Sequence, residues 1–375
     1  MRKLSARPEQ GVDTDHSTSA ARPMRRHRGL LAALVGATLL VAACGAAATP
    51  TATPGAAGAA TPAPSQSALN AQSIANDALQ QLQQEYEAVV KKVAPSVVVI
   101  ETSSGLGSGI VFDTKGDIVT NAHVVGSATT FTVTLADGRQ FKGTLVGTFT
   151  ANDVAVVRIN APNLQPATFA DSSKLQVGEV VMAVGNPLGL QTSVTQGIIS
   201  ALGRTVSESG SVTLPGTIQT SAAINPGNSG GALVDINGNV VGIPTLAAVD
   251  QQIGGSAPGI GFAIPSNDAQ DFANQLITSG HVTNSHRAYL GIRSADILNA
   301  PGVLVYSVES GGPAAQAGIT AQELILSVDG QPTPDNAALT TVLAGLQPGQ
   351  TVAVVIEHAN GNQSTVQVTL GQIPG

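Results

Sequence analysis

The sequence has no tryptophan, one cysteine, and only 7 phenylalanines and 3 tyrosines among 375 residues. Charged residues make up 11%, against about 25% in an average soluble domain. A single cysteine excludes an intrachain disulfide and any cysteine-rich zinc centre. Beyond residue 43 there are four histidines (His123, His281, His286 and His358), and no pair of them has the H-E-x-x-H spacing. Neither a catalytic metal nor another cofactor is therefore expected. Basic residues are also scarce after residue 43, where 10 Lys and Arg face 21 Asp and Glu, a net charge of −11. Phosphate neutralisation needs clustered Lys and Arg, so nucleic acid is excluded as a general partner.

What is abundant is glycine, 42 residues, and apolar side chains, 42% of the chain. At about 150 residues per domain the length suggests two or three units. The basic run Met24-Arg25-Arg26-His27-Arg28 precedes an uncharged, Leu/Ala/Val-rich segment from Leu30 to Ala43. Those 14 residues would make a helix of about 21 Å, short of a hydrocarbon core of about 30 Å. A basic head, a short apolar run and a small-residue end read as a secretory signal. The run closes on Val41-Ala42-Ala43-Cys44 and so resembles a bacterial lipobox, which makes Cys44 the expected lipidation site and mature N-terminus. An uncleaved anchor is the alternative, and Met24 would give a more ordinary start than Met1. The expected location is the envelope, periplasm or outer face of a bacterium, tethered to membrane.

Residues 44–68 are mostly Ala, Thr, Pro, Gly and Ser and read as a disordered tether. Residues 69–95 follow a helical rhythm through Ile74, Leu79, Leu82, Tyr86, Val89 and Val90, which Pro95 ends. From Ser96 the pattern changes to short β-rich runs such as Val97–Ile100, Gly109–Phe112 and Val154–Val157. Asp137-Gly138 and Asn237-Gly238 lie between such runs and predict two-residue hairpin turns. No helical crossover of 10–15 residues separates the strands, which disfavours a parallel α/β sheet. The period becomes helical again from Ser266, with Ser266 or Asn267 as cap and Gly280 as terminator.

Three segments carry candidate chemistry. Ile118–Val125 places His123 at the end of an apolar strand, and Asn152–Val157 places Asp153 just before another. Asn225-Pro226-Gly227-Asn228-Ser229-Gly230-Gly231 places Ser229 in a glycine-rich turn. A serine hydroxyl needs an adjacent base, an imidazole can shuttle its proton, and a buried carboxylate fixes the imidazole's tautomer. Backbone amides of the turn (Gly227, Asn228, Ser229) are candidates for the oxyanion hole, with Gly227 and Ser229 foremost. Taken alone, His123, Asp153 and Ser229 each fit an ordinary structural residue; in this order and context they read as a triad.

These segments resemble HtrA/DegP-like serine proteases. Gly107-Ser108-Gly109, Val184-Gly185-Asn186-Pro187-Leu188-Gly189 and Gly259-Ile260-Gly261-Phe262-Ala263-Ile264-Pro265 extend the match over about residues 85–370. The resemblance implies a mainly β architecture: a chymotrypsin-like double β-barrel followed by a PDZ domain. It also implies ATP-independent cleavage of unfolded or mislocalised proteins outside the cytoplasm, usually by homotrimers. Ser221 stands where the family commonly has Asp, and Pro244 where Asn is more usual.

Ile224 and Leu246 are candidate walls of the substrate pocket. Both are uncharged, which favours small or medium aliphatic residues before the scissile bond. In the C-terminal part, Tyr289-Leu290-Gly291-Ile292 resembles the carboxylate-binding loop of a PDZ domain, where backbone amides receive a peptide C-terminus. The expected partition is signal 1–43, tether 44–68, helical segment 69–95, protease domain 96–268, linking helix 269–285 and PDZ domain 286–375. The expected function is a tethered serine endopeptidase of protein quality control. The alternative is a proteolytically dormant chaperone or peptide-binding protein.

Overall fold

The computed structural model of the chain describes residues 66–103, 105–186, 193–207, 213–225, 227–250, 255–298 and 300–375. The signal segment, Cys44, most of the tether, Pro187-Leu188-Gly189 and Pro226 lie outside these residues. Among the described residues no helix is long and apolar enough to cross a membrane.

Helix α1 (Gln66–Val93) begins three residues earlier than expected and gives way to a 3-10 turn with Pro95 in its first positions. Only its C-terminal end rests on the body, through buried Val89 and Val93, while Ile74 and Leu79 are exposed. The chain then forms β1 (Val97–Glu101), β2 (Leu106–Val111), β3 (Asp117–Thr120), the short α2 (Ala122–Val125), β4 (Thr130–Thr134), β5 (Gln140–Phe149) and β6 (Val154–Ile159). These strands close a barrel in the order β1-β2-β3-β6-β5-β4. A second barrel, ordered β10-β11-β12-β9-β8-β7, uses β7 (Val180–Gly185), β8 (Ser193–Ser207), β9 (Thr213–Thr220), β10 (Ala232–Val234), β11 (Val240–Asp250) and β12 (Gly255–Pro265).

The unbroken apolar runs follow from this pairing of barrels. Side chains of a strand alternate between two faces, and here both faces are buried. In β6, Ala155, Val157 and Ile159 fill the first barrel, while Val154 and Val156 join a second cluster. In β7, Val181 and Ala183 fill the second barrel, while Met182 and Val184 join that same second cluster. The shared cluster is the seam between barrels. It also takes in α3 (Ser266–Ser279) through Ala269, Phe272, Ala273 and Leu276, and the end of α1. Phe149 of β5 meets Phe272 edge-on with centroids 4.9 Å apart, which fixes α3 against the first barrel.

Several local expectations change. Both hairpins use three-residue loops: Leu135 bonds Arg139 and Asp235 bonds Asn239, with Gly138 and Gly238 at φ 85° and 70° closing each loop. A glycine in the left-handed region at the last loop position is what such loops require. Helix α3 ends at Gly280 in the left-handed conformation, as its sequence suggests, but Pro265 is its N-cap. Ser266 Oγ instead donates to Ala170 O, and Asn267 bonds Asp171 and Ser172. The helix thus starts inside the stretch assigned to the protease domain, and residues 281–287 connect it to the C-terminal part.

The C-terminal part contains β13 (Ala288–Tyr289), β14 (Ile292–Asp296), β15 (Val303–Val308), α4 (Pro313–Gln316), β16 (Leu324–Val328), β17 (Gln331–Pro332), α5 (Asn336–Ala344), β18 (Thr351–Glu357), β19 (Gln363–Thr369) and β20 (Gly371–Gln372). Its main sheet runs β14-β15-β16-β18-β19, with β17 on β16 and a separate β13-β20 pair. A separate apolar core lies under the main sheet, built on Leu290, Val303, Val305, Ile325, Leu339, Val354 and Ile356 among others.

Between the second barrel, α3, the linker and α5 lies a cavity of about 430 Å³ lined by Asp268, Phe272, His286 and Arg287 among others. Burial raises the Asp268 carboxyl above its ordinary value, and repulsion from Asp271 adds to this. A carboxyl raised in the folded state contributes stability below its unfolded pKa and loses it as pH rises through the folded pKa. Ionised Asp268 is therefore a liability at neutral pH. Asp268→Asn should raise the melting temperature at pH 7, with the gain shrinking as pH falls toward 3.8. Scanning calorimetry across that range checks this; a gain that grows on acidification would contradict it.

Candidate active site

The seam brings together side chains from both barrels. His123 leaves β3 on the one-turn helix α2, and Asp153 lies in the turn entering β6. Asp153 is 2% exposed and left-handed, at φ 54° and ψ 39°. For a non-glycine residue that conformation costs about 1–2 kcal/mol, so it has to be held from outside. Its carbonyl accepts from Ala122 N at 3.1 Å and from Asn121 Nδ2 at 3.0 Å. Its carboxylate accepts three bonds: from His123 N to Oδ1 at 2.9 Å, and to Oδ2 from His123 Nδ1 at 2.9 Å and Thr245 Oγ1 at 2.5 Å. A buried carboxylate is tolerated when it is satisfied in this way. Because the carboxylate only accepts, the shared imidazole proton belongs on Nδ1 and the lone pair of His123 on Nε2.

Thr245 is the residue that the local sequence did not single out as a partner of Asp153. The β11–β12 register shifts between Pro244 and Leu246, so Thr245 is the extra residue of a bulge. A bulge re-aims a side chain beside an active site. Here it directs the hydroxyl to Asp153, while the Thr245 carbonyl accepts from Ser229 Oγ at 3.0 Å. One residue of the second barrel thus touches both the acid and the serine. Proline at 244 fits the same bulge, because strand interiors exclude it and bulges do not. In this arrangement the serine proton points at Thr245, and its transfer to an imidazole requires the hydroxyl to leave that carbonyl.

The serine turn is shaped by glycine at two positions of positive φ, Gly227 at 102° and Gly230 at 79°. A Cβ at Gly230 would also lie 2.2 Å from Ser108 O and 2.3 Å from Thr120 Oγ1, so no other residue fits. The Asn228 amide donates to Asn225 O at 3.0 Å and is not offered to the site. The amides of Gly227 and Ser229 have no partner among the described residues. Ser108 is fully buried. It binds the turn from the first barrel: its N–H donates to Ser229 O at 2.9 Å and its hydroxyl to Gly227 O at 2.5 Å. With its carbonyl accepting from Thr120 Oγ1 and its hydroxyl from Asn186 N, it is fixed on four sides. Ser221 closes the preceding segment onto β8, its hydroxyl accepting from Ile198 N at 3.0 Å.

The remaining expected residues are placed as follows. Ile224 is 5% exposed and packs in the second barrel's core, where a Cβ on Gly261 would lie 2.4 Å from it. Leu246 pairs with Phe262 in the ladder, and its side chain is outside the described part. In the C-terminal loop Leu290 is buried and Gly291 has φ 73°. Tyr289 donates its hydroxyl to Glu309 Oε2 at 2.7 Å, and burial, with Glu309 beside it, pushes the phenol up to about 12.

A further contact comes from the linker. Arg287, just before β13, donates to Ala151 O at 2.6 Å, to Asn152 Oδ1 at 3.0 Å and to Thr213 O at 3.3 Å. Burial lowers its guanidinium to about 10, which still leaves it charged at neutral pH. It therefore clamps the turn immediately before Asp153 from the side of the C-terminal domain.

The chain matches the family model of the trypsin-like peptidase domain over residues 107–243 and that of the PDZ domain over 288–370. It is 40% identical over 308 residues to serine protease PepD of Mycobacterium tuberculosis, covering 76% of this chain and 66% of that protein, just under two thirds. It is 38% identical over 313 residues to serine endoprotease DegS of Escherichia coli, covering 77% of this chain and 86% of that one. Among solved structures, the HtrA-type protease AlgW with a decapeptide is similar at a TM-score of 0.57 and 33% identity, covering 77% of this chain and 99% of that one.

Thr245→Val keeps the volume but leaves Asp153 Oδ2 with one donor. A hydrogen bond to a charged group is worth about 1.5–3 kcal/mol, so the melting temperature should fall by several degrees and kcat/KM on a peptide substrate roughly 10- to 100-fold. Steady-state kinetics beside thermal melts check this, and a fall below about threefold would remove Thr245 from the positioning of Asp153.

Proposed function

Because the chain belongs to the HtrA/Deg family of serine proteases, we propose that it is a serine endopeptidase working through His123, Asp153 and Ser229. The observation that carries this reading is the 2.9 Å bond between His123 Nδ1 and a buried Asp153 carboxylate that is joined through Thr245 to the Ser229 hydroxyl. Ser229 Oγ attacks the scissile carbonyl carbon as its proton passes to His123 Nε2. The carbonyl oxygen becomes an oxyanion facing the amides of Gly227 and Ser229, each such donor being worth about 3–4 kcal/mol of barrier. The intermediate collapses, the carbon–nitrogen bond breaks, and His123 gives its proton to the leaving amine. A water molecule, deprotonated by the same imidazole, then releases the acyl group from Ser229. Asp153 stays ionised throughout and stabilises the imidazolium.

The substrates we infer are unfolded or mislocalised proteins of the bacterial envelope, cleaved after small or medium aliphatic residues. Ile224 supports an apolar floor near the nucleophile, and Leu246 is the second candidate wall. The working divisions are a protease domain at about 96–268, a linking helix and a PDZ domain at 286–375 whose loop Tyr289–Ile292 receives peptide C-termini. The N-terminal segment is an export signal, Cys44 carries lipid, and the assembly is a homotrimer.

Purified wild type should cleave casein, and Ser229→Ala should not, while keeping its melting temperature. Asp153→Asn should lose about 10³–10⁴ in turnover, because the amide no longer selects the same tautomer. Full cleavage by contaminant-free Ser229→Ala would reject the mechanism. Absence of cleavage by wild type, with peptide binding intact, would favour the dormant binding protein. For the tether, Cys44→Ser should move the protein from the membrane to the soluble fraction, since stable anchoring requires more than one acyl chain. A Cys44→Ser protein that stays in the membrane fraction with residues 24–43 still attached would instead identify an uncleaved anchor.

A further inference from the structure

The outer face of the first barrel carries a groove of about 820 Å³. Its floor is a row of side chains that crosses four strands. The ladder register pairs Leu106 of β2 with Glu101 of β1, Glu101 with Thr132 of β4, and Thr132 with Lys142 of β5. Directly paired residues of antiparallel strands share a face, and all four are exposed. The adjacent row holds Ile100 and Val133, both fully buried, so the first row faces outward. Thr102 and Ser103, after β1, form one wall, and Ser127 and Thr129, after α2, the other. Hydroxyls thus dominate the lining, and among the described residues Glu101 and Lys142 are its only charged members.

The groove adjoins the candidate site. Leu106, 45% exposed, stands at its near end, two residues before Ser108, whose N–H donates to Ser229 O at 2.9 Å. Helix α2 packs on the same strand, since a Cβ built on Gly107 would lie 2.7 Å from the Val124 side chain. Ser127 follows His123 by four positions. In acyl transfer the imidazole protonates the leaving amine, so the substrate residues beyond the scissile bond pass over α2 and the start of β2. The groove lies in their path. Two residues of strand span about 6.8 Å and one strand spacing is about 4.8 Å, which puts Glu101 about 8 Å from Ser108. An extended chain at about 3.3 Å per residue covers that distance by its third residue. Lys142 lies two strand spacings farther, about 10 Å, or about three residues more.

We propose that this groove binds the leaving-side segment of the substrate, and that Glu101 and Lys142 set its preferred charge order. The ligand class is an extended, polar peptide segment with a basic side chain about three residues after the scissile bond and an acidic one about three residues later. In that order each charged side chain meets the opposite sign; in the reverse order each meets its own. The hydroxyls between them can bond any main chain, so they hold the segment without selecting its sequence. Exposed ion pairs are individually weak, and the preference is therefore a bias on cleavage rate rather than an absolute requirement. The proposal rests on the reading of His123, Asp153 and Ser229 as a protease triad.

The test gives the full chain two internally quenched peptides that are identical up to a Val before the scissile bond. One continues Ala-Ser-Lys-Ala-Ser-Glu and the other Ala-Ser-Glu-Ala-Ser-Lys, so composition and net charge are equal and the acidity of the body as a whole cancels. A third substrate ends at the same Val in a 4-nitroanilide and has no leaving-side residue. Fragment masses confirm the bond that is cut. For wild type, kcat/KM should be roughly three- to tenfold higher for the peptide with Lys nearer the bond. Glu101→Lys combined with Lys142→Glu should invert that order, and either substitution alone should bring the ratio below about twofold. All variants should hydrolyse the anilide within about twofold of wild type. Equal cleavage of the two peptides by wild type, or a preference that survives the exchange of charges, overturns the groove assignment. An anilide rate that falls along with the peptide rates shows that the substitutions act through the catalytic site, which also overturns it. No cleavage of any of the three substrates by wild type rejects the protease reading itself, and the proposal with it.

Discussion

The Asp153 carboxylate is the constraint on which the rest of the site depends. An ionised group at 2% exposure is stable only if every lone pair it presents is met. Its three donors come from two places in the chain: α2 supplies His123 through both its amide and its ring, and the β11 bulge supplies Thr245. Those donors can converge only if two separately closed barrels are held in one relative position. The shared apolar cluster does this, with Val154 and Val156 beside Asp153 on one side and Met182, Val184 and Ile243 on the other. Burial of the seam and satisfaction of the carboxylate are thus two aspects of one packing solution.

The serine turn depends on the same seam from the opposite direction. Its glycines permit the backbone to turn, but they do not hold it. Ser108, from the first barrel, bonds the carbonyls on either side of Asn228 and so fixes the Gly227–Asn228 and Ser229–Gly230 peptide planes, between which the Ser229 amide lies. Arg287 adds a third anchor, from the linker to the turn before Asp153. The catalytic geometry therefore draws on the first barrel, the second barrel and the entry to the PDZ domain, although the three candidate triad residues all precede Gly231.

Much of this was legible in the chain because it is local. Val154–Val157 reads as a strand buried on both faces, Gly280 as a helix terminator, and Asn225–Gly231 as a tight turn presenting a serine. The residues that were not legible act over long sequence distances. Thr245 reaches Asp153 across 92 positions and Ser108 reaches Gly227 across 119. A bulge at Thr245 leaves no periodic trace beyond Pro244, and a serine between two glycines looks like a loop. The hairpins erred in a different way: Asp137-Gly138 and Asn237-Gly238 marked the right places, but each loop includes the residue before the pair, and its length is decided by the strand register.

The most direct measurement is the rate of covalent capture of the serine by a fluorophosphonate, with the adduct located by peptide mass spectrometry. If Asp153 organises the site through His123 and Thr245, wild type carries one adduct, on Ser229. The capture rate then falls by orders of magnitude in Asp153→Asn while the melting temperature is retained. An adduct on another residue, or a rate at Ser229 that is indifferent to Asp153, would contradict the account.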